Sequence, residues 1–428
     1  MTKTLNYPML PLVRSVLAIL PFITNAHSST TENNSLRNVR LPEAASLYNF
    51  DDLRSLEGEE IDSEALFSPR SIAESPVLLA AQRHEKDLRP PTILAASFLS
   101  AVNLSQLSEK KISLRHATEA RVLSIDGGGI KGLLVLELLA LMEQKTGKHT
   151  TELFDMIGGT SAGALIATLL TIKDPKTGKP KFTARSLKEE LMKHYPNFFV
   201  TKWGSFCGIM KEKYKVTPAR NILTKLAGEA LFGEAIIPTF VTAFNVSGES
   251  KYHKLSILGS YTHNDKGKTV IDAALSSMSA PVFFKPHQSS DGNIYLDGGL
   301  VANNPSLLAY CQAKEYFQHA SRLVLLSMGA GSFSDHASSR KFLHTGLIDI
   351  GPELPNMFLQ GQQSITQETL HYMPDVSDFR IDPILEGDKI ELDDTSQKAM
   401  DHLSVTALRW WGDHPDKVDE ILKRVTHV

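Results

Sequence analysis

The sequence predicts an α/β fold in three layers, α/β/α, with a mainly parallel central sheet. Short apolar segments that predict strands alternate with helical segments along the chain. The predicted strands are 122–125, 153–157, 236–244 and 322–327. The segment 133–142 is apolar on nearly every side, which predicts a helix that is buried all round. Strands separated by helices are typical of a parallel sheet that is covered on both faces.

The composition is that of an ordinary globular protein: 428 residues, of which 42% are hydrophobic and 22% are charged. A formal net charge of −3 argues against a broadly basic nucleic-acid-binding protein. Two cysteines are too few for a disulfide-rich scaffold or a Cys-rich zinc module. We expect no disulfide between them, because Cys207 lies in a loop-like stretch and Cys311 in a predicted helix.

The N-terminal 26 residues have the pattern of a secretory signal peptide. Lys3 and Arg14 precede an uncharged apolar run, 15–23, and small residues follow at 24–26. This pattern predicts that the protein is secreted or exported. The alternative is a short apolar segment that packs on the domain or is disordered, in a cytoplasmic protein that contacts membranes peripherally.

The segment Gly159–Gly163 (GTSAG) matches G-x-S-x-G between a predicted strand and a predicted helix. The flanking glycines permit a tight turn from strand to helix. Such a turn would expose the Ser161 hydroxyl at a helix N-terminus, where the helix dipole favours developing negative charge. The pattern therefore predicts a nucleophile at Ser161. A glycine-rich helix start capped by a serine is the alternative that the motif alone leaves open.

A glycine cluster in the segment 126–132 (DGGGIKG) directly follows the first predicted strand. Consecutive glycines at a helix start present backbone N–H groups that bind a phosphate or form an oxyanion hole. The segment also satisfies G-x-G-x-x-G, but dinucleotide binding requires an acidic residue at the end of the next strand. Glu152 precedes that predicted strand and Asp155 lies inside it, so dinucleotide binding is disfavoured.

Asp297 ends a short apolar run, 293–296, and two glycines follow it. An aspartate in a turn more often caps backbone amides than takes part in catalysis. Asp297 becomes a candidate base because a serine nucleophile requires one.

In this order, the three blocks resemble the patatin-like phospholipase family. They are Asp-Gly-Gly-Gly-x-Lys-Gly, then Gly-Thr-Ser-Ala-Gly about 30 residues later, and finally Asp-Gly-Gly. The segments 273–286 and 322–331 resemble the family as well. The resemblance implies a patatin-like catalytic core at 119–335. The sequence of 336–428 predicts a mainly helical C-terminal part that packs on this core. The segment 27–118 lies outside the resemblance, and we assign it no role beyond a linker and N-terminal segment.

The resemblance also implies a role for each motif residue. Ser161 would be the nucleophile and Asp297 the base of a catalytic dyad. The amides implied to form the oxyanion hole are those of Gly127, Gly128 and Gly129. Many relatives have arginine at the position of Lys131, and a lysine keeps the charge but loses bidentate geometry. Lys131 is therefore a candidate head-group contact.

The activity that the resemblance implies is hydrolysis of acyl lipids. The enzyme would be of the phospholipase A or lysophospholipase type, and its partner would be a phospholipid or another acyl lipid at a membrane surface. No metal or cofactor is predicted, because the scheme requires none and no EF-hand loop or H-E-x-x-H motif is present. Two alternatives remain open, namely an acyltransferase on the same scaffold and a lipid-binding effector that a protein partner activates.

A Ser–acid–His triad of the α/β-hydrolase type is the rival mechanism, because it follows the same chain order. It is disfavoured because only one clear strand precedes the strand that leads to Ser161, whereas the triad fold places several there. The histidines that follow Asp297 are His319, His336, His344, His371, His402, His414 and His427.

The segment 171–215 is locally basic, with eleven Lys or Arg and four Asp or Glu. A solvated surface is the favoured interpretation. A lid that meets an anionic membrane is the alternative.

Overall fold

The computed structural model describes residues 119–201, 212–247, 254–333, 354–387 and 389–426. The predicted signal peptide, the segment 27–118 and Cys207 lie outside these residues, and their assignments stay predictions. Cys311 is a free thiol. In the part of the chain that is described, no helix is both long and apolar enough to cross a membrane.

Eight of the described strands form one mixed sheet in the spatial order β5-β6-β3-β2-β1-β7-β9, with β4 paired to β3. The pairs among β3, β2, β1, β7 and β9 are parallel, whereas β4, β5 and β6 join through antiparallel pairs. The mainly parallel sheet is therefore confirmed. The strands are β1 (Glu119–Ile125), β2 (Met156–Gly159), β3 (Thr239–Asn245), β4 (Lys254–Gly259), β5 (His287–Gln288), β6 (Ile294–Asp297), β7 (Arg322–Met328), β8 (Ser332–Phe333), β9 (Val376–Ile381) and β10 (Ile384–Leu385).

Helices occupy the connections between these strands. They are α1 (Gly132–Thr146), α2 (Thr150–Leu153), α3 (Ala162–Leu170), α4 (Ala184–His194), α5 (Val216–Ala227), α6 (Val270–Met278), α7 (Gly299–Ala302), α8 (Ser306–Tyr316), α9 (Leu354–His371), α10 (Gln397–Asp413) and α11 (Pro415–Thr426). Helix α1 packs against α4, α10 and α11, so it is buried nearly all round as its sequence predicts. Gly147 ends it with a left-handed backbone, φ 67°, as expected for a C-terminal cap.

Two apolar cores lie on opposite faces of the sheet, which makes the fold three-layered. Side chains alternate between the faces along a strand. In β1, Leu123 and Ile125 join the core that contains α1, α3 and α10. Ala120 and Val122 of the same strand join the core that contains α8. Strand β7 alternates in the same way, and helices therefore cover both faces.

The second strand begins later than the sequence predicts. The prediction places it at 153–157, whereas residues 150–153 form the short helix α2 and the strand is β2, 156–159. Reciprocal caps cause the difference, because the His149 ring accepts from the Thr151 N–H and the Glu152 carboxylate accepts from the His149 N–H.

The C-terminal part is not helical alone, although its sequence predicts mainly helix. After residue 335 the chain contributes β9, which pairs in parallel with β7 over its whole length. The central sheet therefore continues past the predicted boundary at 335. The amphipathic end of the chain forms α11, which buries Val418, Ile421, Leu422 and Val425.

Candidate active site

Ser161 lies on a strained turn between β2 and α3. Its backbone has φ 54° and ψ −119°, a conformation that costs energy for a residue with a Cβ. Helix α3 begins directly after it and crosses close to β1, where a methyl group at Gly163 would overlap the Ile125 carbonyl. The two glycines of the motif are therefore required by space, and the turn presents the Ser161 hydroxyl to solvent at the end of the sheet.

The register of β3 brings Asp297 to Ser161. Strand β4 pairs along one edge of β3 from Phe240 to Asn245, so β2 and β6 must share the other edge. Strand β2 ends with Gly159 opposite Val241, and β6 ends with Asp297 opposite Ala243. The carboxyl ends of β2 and β6 thus meet head to head, with one residue of β3 between them. As a result, Ser161 Oγ donates a hydrogen bond of 2.7 Å to Asp297 Oδ2.

The Asp297 carboxylate is poised to accept a proton near neutral pH. The residue is only 5% exposed, and burial raises the pKa of its carboxyl to about 6. Hydrogen bonds from Ser161 Oγ and from the Gly299 N–H, the latter 2.7 Å from Oδ1, oppose part of that rise. A carboxylate with a raised pKa is a stronger base toward a serine hydroxyl than one in water.

The glycine loop differs in one respect from the predicted oxyanion hole. The Gly127 N–H donates to the Asn303 carbonyl at 3.0 Å, so it is already engaged. Among the described residues, the N–H groups of Gly128 and Gly129 donate to no acceptor. The backbone of Gly129 has φ 58°, a left-handed conformation that suits glycine. The predicted oxyanion hole is therefore reduced to the amides of Gly128 and Gly129. The prediction for Gly127 is corrected, because its amide has a structural role.

A buried ion cluster supports this loop from behind. Arg380 donates to both oxygens of Asp126, at 3.0 and 2.7 Å, and to Asp382 Oδ2 at 3.0 Å. Its Nη1 also donates to Ser327 Oγ at 2.7 Å. Burial raises the pKa of the Asp126 carboxyl to about 6, although Arg380 opposes the rise. Because Asp126 directly precedes the three glycines, Arg380 holds the start of the loop in place.

Lys131 lies at the polar end of the same loop. Its ammonium stands 5.7 Å from the centre of the Phe333 ring. Burial lowers the pKa of the Lys131 ammonium, and the carboxylates of Asp382 and Glu391 oppose that effect. Contact with a lipid head group stays a prediction for this residue.

All the candidate residues line one cavity of about 1310 Å³. One wall is apolar and largely aromatic; it includes Leu165, Tyr195, Phe198, Phe199, Met278, Phe283 and Phe284. The lining also includes the charged side chains of Lys131, Asp382, Lys389 and Glu391. Ser161 and Asp297 therefore open into a cavity lined by both apolar and charged side chains.

Residues 123–310 match the family model described as patatin-like phospholipase. This segment belongs to the patatin-like phospholipase family. The chain is 33% identical over 203 residues to the cGAMP-activated phospholipase of Escherichia coli strain TW11681, covering 46% of this chain and 56% of that relative. It thus spans little more than half the length of that relative. It is 26% identical over 292 residues to Patatin-like protein 2 of Oryza sativa subsp. indica, covering 58% and 68%. Among solved structures, the human GIVD cytosolic phospholipase A2 matches with a TM-score of 0.37 and 10% identity, covering 78% and 63%.

The patatin-like segment contains every site residue that the sequence predicts. Arg380 and the whole of α9 lie beyond its last matched residue, 310. Two members of the ion cluster behind the glycine loop, Arg380 and Asp382, are therefore supplied by the C-terminal part of the chain.

The structure supports neither of the two alternative sites, the Ser–acid–His triad and the dinucleotide-binding site. Of the histidines after Asp297, His319, His371, His402 and His414 are described, and none lines the cavity; His336, His344 and His427 lie outside the described residues. For dinucleotide binding, both acidic candidates are engaged elsewhere. Asp155 pairs with Arg121 at 2.8 Å, and Glu152 accepts from the His149 N–H at 2.7 Å.

Ser277 is a site residue that sequence reasoning missed. It is fully buried near the end of α6, and its Oγ accepts the Ser161 N–H at 2.8 Å. Its carbonyl accepts from Gly298 N, next to Asp297, at 3.2 Å. Ser277 thus bonds both Ser161 and Gly298, the residue that follows Asp297. The segment 273–286 carried a family resemblance, but no spacing rule connects Ser277 with Ser161.

We expect Ser277→Ala to lower kcat by about tenfold to a hundredfold with little change in KM. The substitution leaves the Ser161 N–H buried without an acceptor and frees the strained turn to relax. The measurement is steady-state hydrolysis of a soluble ester. Ser276→Ala is the matched control, since Ser276 is equally buried but its Oγ donates to Asp272 O within its own helix. Equal effects of the two substitutions would contradict a positioning role for Ser277.

Proposed function

We propose that this protein is a lipid acyl hydrolase that cleaves carboxylic ester bonds of membrane lipids through Ser161 and Asp297. The observation that carries the proposal is the 2.7 Å hydrogen bond from Ser161 Oγ to a buried carboxylate. This pair opens into a lipid-sized cavity, beside two amides that lack an acceptor among the described residues. The reaction class is that of a phospholipase A or lysophospholipase.

The first half of the reaction forms an acyl-enzyme. Asp297 Oδ2 takes the proton of Ser161 Oγ as the oxygen attacks the ester carbonyl carbon. The amides of Gly128 and Gly129 stabilise the negative charge on the carbonyl oxygen. Collapse of this intermediate breaks the ester bond, and Asp297 returns the proton to the departing alkoxide. The products of this half are a free alcohol and an acyl group esterified to Ser161.

The second half releases the fatty acid. Asp297 takes a proton from a water molecule, whose oxygen attacks the carbonyl carbon of the acyl-enzyme. The same two amides hold the second oxyanion. When the intermediate collapses, Ser161 Oγ leaves and recovers its proton from Asp297. The net change is consumption of one water, with one fatty acid and one alcohol formed.

The test is fatty-acid release from vesicles of phospholipids, lysophospholipids and galactolipids by the full chain. We expect Ser161→Ala to abolish release, whereas a chelator should leave it unchanged. Ser404→Ala is the matched control, because Ser404 Oγ donates only to Met400 O in helix α10. Release that survives Ser161→Ala would refute the assigned nucleophile.

An activator-dependent form of the same enzyme is the second candidate function. One relative is named a cGAMP-activated phospholipase, and this chain aligns with 56% of it. Repeating the assay with added cGAMP and with a cell lysate separates the candidates. Release only after either addition would favour the activated form. Transfer of the acyl group to an added alcohol would identify an acyltransferase.

A further inference from the structure

Helix α9 presents three large apolar side chains to solvent. At 100° per residue, Met357, Phe358 and Ile365 lie within about 100° of one another on the helix surface. Their exposed fractions are 43%, 68% and 67%. We call these three side chains the α9 apolar face. A helix on a protein surface normally turns its apolar side to the core and its polar side to water.

The inward side of α9 includes polar side chains. Gln362 Nε2 donates to the Leu300 carbonyl at 3.1 Å, and Gln362 Oε1 accepts from the Asn303 N–H at 3.1 Å. Gln363 Nε2 donates to Asp382 Oδ2 at 3.0 Å. The inward polar side chains of α9 thus form hydrogen bonds with backbone groups at α7 and with the ion cluster behind the glycine loop. Leu370 is buried on that inward side as well, whereas the α9 apolar face is left outward.

Helix α9 as a whole carries little charge, and its one acidic side chain, Glu368, is exposed beside the α9 apolar face. Glu368 is the sole Asp, Glu, Lys or Arg among its 18 residues. Helix α10, with 17 residues, carries four such side chains: Lys398, Asp401, Arg409 and Asp413. A helix that faces water ordinarily carries several charged side chains, as α10 does, because they are well hydrated. The composition of α9 suits an apolar neighbour.

The position of α9 identifies that neighbour. Phe358 is exposed and at the same time lines the cavity that contains Ser161 and Asp297. Leu300, from the helix that starts two residues after Asp297, is 46% exposed and lines the cavity too. Apolar surface is therefore continuous from the outside of α9 into the cavity. An acyl chain that moves along this path stays in contact with apolar side chains.

We propose that the α9 apolar face inserts into the surface of a lipid bilayer and places the cavity mouth against it. The proposal rests on the proposed function only for the identity of the cavity's substrate. Met357 and Ile365 lie outside the cavity lining and serve docking alone, whereas Phe358 connects the docking surface with the cavity. Docking through uncharged apolar side chains requires neither anionic lipid nor low salt.

The first test measures sedimentation of the full chain with phosphatidylcholine vesicles. It is done in the Ser161→Ala background, so that no lipid is consumed. We expect the double substitution Met357→Gln/Ile365→Gln to weaken vesicle binding by about tenfold or more. Val405→Gln/Leu408→Gln is the matched control: each residue is 50% exposed on α10, outside the cavity lining, and binding should be unchanged. Equal binding by both variants would overturn the proposal.

Two further measurements exclude other occupants of the face. Binding that falls steeply between roughly 0.05 and 0.5 M NaCl would indicate electrostatic attachment and overturn the proposal. A dimer in gel filtration that Met357→Gln/Ile365→Gln dissociates would assign the face to a second copy of the chain, which also overturns it.

A soluble short-chain ester then separates docking from chemistry. With Ser161 intact, the Met357→Gln/Ile365→Gln variant should hydrolyse this ester within about twofold of the wild-type rate, yet lose vesicle hydrolysis in proportion to binding. An equal loss on both substrates would overturn the docking role. Failure of the wild type to cleave any ester would refute the proposed function, while the vesicle-binding result would still test docking.

Discussion

Asp297→Asn is expected to lower kcat/KM at pH 8 by at least about a thousandfold. Asparagine keeps the shape of the side chain, but its amide cannot take the proton that Ser161 Oγ must lose. In the wild type, kcat/KM should rise with pH through about 6, the value to which burial raises the pKa of Asp297, because the ionised carboxylate is the base. The measurement is the pH dependence of hydrolysis of a soluble ester.

Stability provides the internal check on this variant. Burial raises the pKa of Asp297 from 3.8 to about 6, so its ionised form costs the folded protein about 3 kcal/mol at pH 8. That cost is present above the folded-state pKa and disappears below the unfolded-state pKa. Asp297→Asn should therefore be at least as stable as the wild type at pH 8 and lose this advantage near about pH 4. Asp413→Asn, at an exposed position, is the control. Activity of Asp297→Asn within tenfold of the wild type would remove Asp297 from the mechanism.

Arg380→Met is expected to lower the free energy of unfolding by about 3–5 kcal/mol at pH 8. The side chain of Arg380 is only 14% exposed and bonds two carboxylates, Asp126 and Asp382. Methionine fills similar space but leaves both carboxylates buried without their cation. Urea unfolding measures the loss. Arg409→Met is the matched control, because the Arg409–Glu386 pair is 55% and 72% exposed and should contribute less than about 1 kcal/mol.

The pH dependence distinguishes loss of a charge partner from loss of packing. Burial already raises the pKa of Asp126 to about 6 with Arg380 present, and removal of Arg380 raises it further. The cost of a raised pKa is complete above the folded-state pKa and disappears below the unfolded-state pKa, and below about pH 6 the Asp126 carboxyl is protonated in both folded proteins. The difference between Arg380→Met and the wild type should therefore narrow from about pH 8 to about pH 5. A difference that does not change with pH would mean that packing alone is lost.

The same cluster links stability to the glycine loop. Adding Asp126→Asn to Arg380→Met should restore part of the lost stability, since one of the two uncompensated charges is then removed. Coupling of this kind would place the C-terminal strand β9, which carries Arg380, among the elements that shape the candidate oxyanion hole.

Local patterns were sufficient to predict the helix and the loops of the site. The nearly continuous apolar character of 133–142 predicts a buried helix, and α1 is one. The spacing of Gly159 and Gly163 around Ser161 predicts a tight strand-to-helix turn, and the turn has that form. Both patterns involve residues only a few positions apart, so they predict the local structure without knowledge of the tertiary contacts. The start of β2 was misplaced because side-chain caps at His149 and Glu152 formed a helix there instead.

Contacts between distant residues could not be predicted in this way. Asp297 lies 136 residues from Ser161, and only the shared edge of β3 brings them together. Without the family resemblance, the local sequence predicts only that Asp297 is a turn residue that caps backbone amides. No spacing rule connects Ser277 or Arg380 with the site, because each acts through a partner that is distant in the sequence. The engaged amide of Gly127 has the same origin, since its acceptor is Asn303.

The sequence by itself determined the three-layer α/β class, the buried helix α1, the glycine loop and the turn at Ser161, because each follows from apolar periodicity or from glycine spacing within one segment. Only the tertiary structure decided which carboxylate meets Ser161, which amides remain without an acceptor among the described residues, and which side of α9 faces water. Hydrogen bonds from Gln362 and Gln363 to distant elements fix the inward side of α9, since buried polar groups must be satisfied, and Phe358 and Ile365 are left exposed.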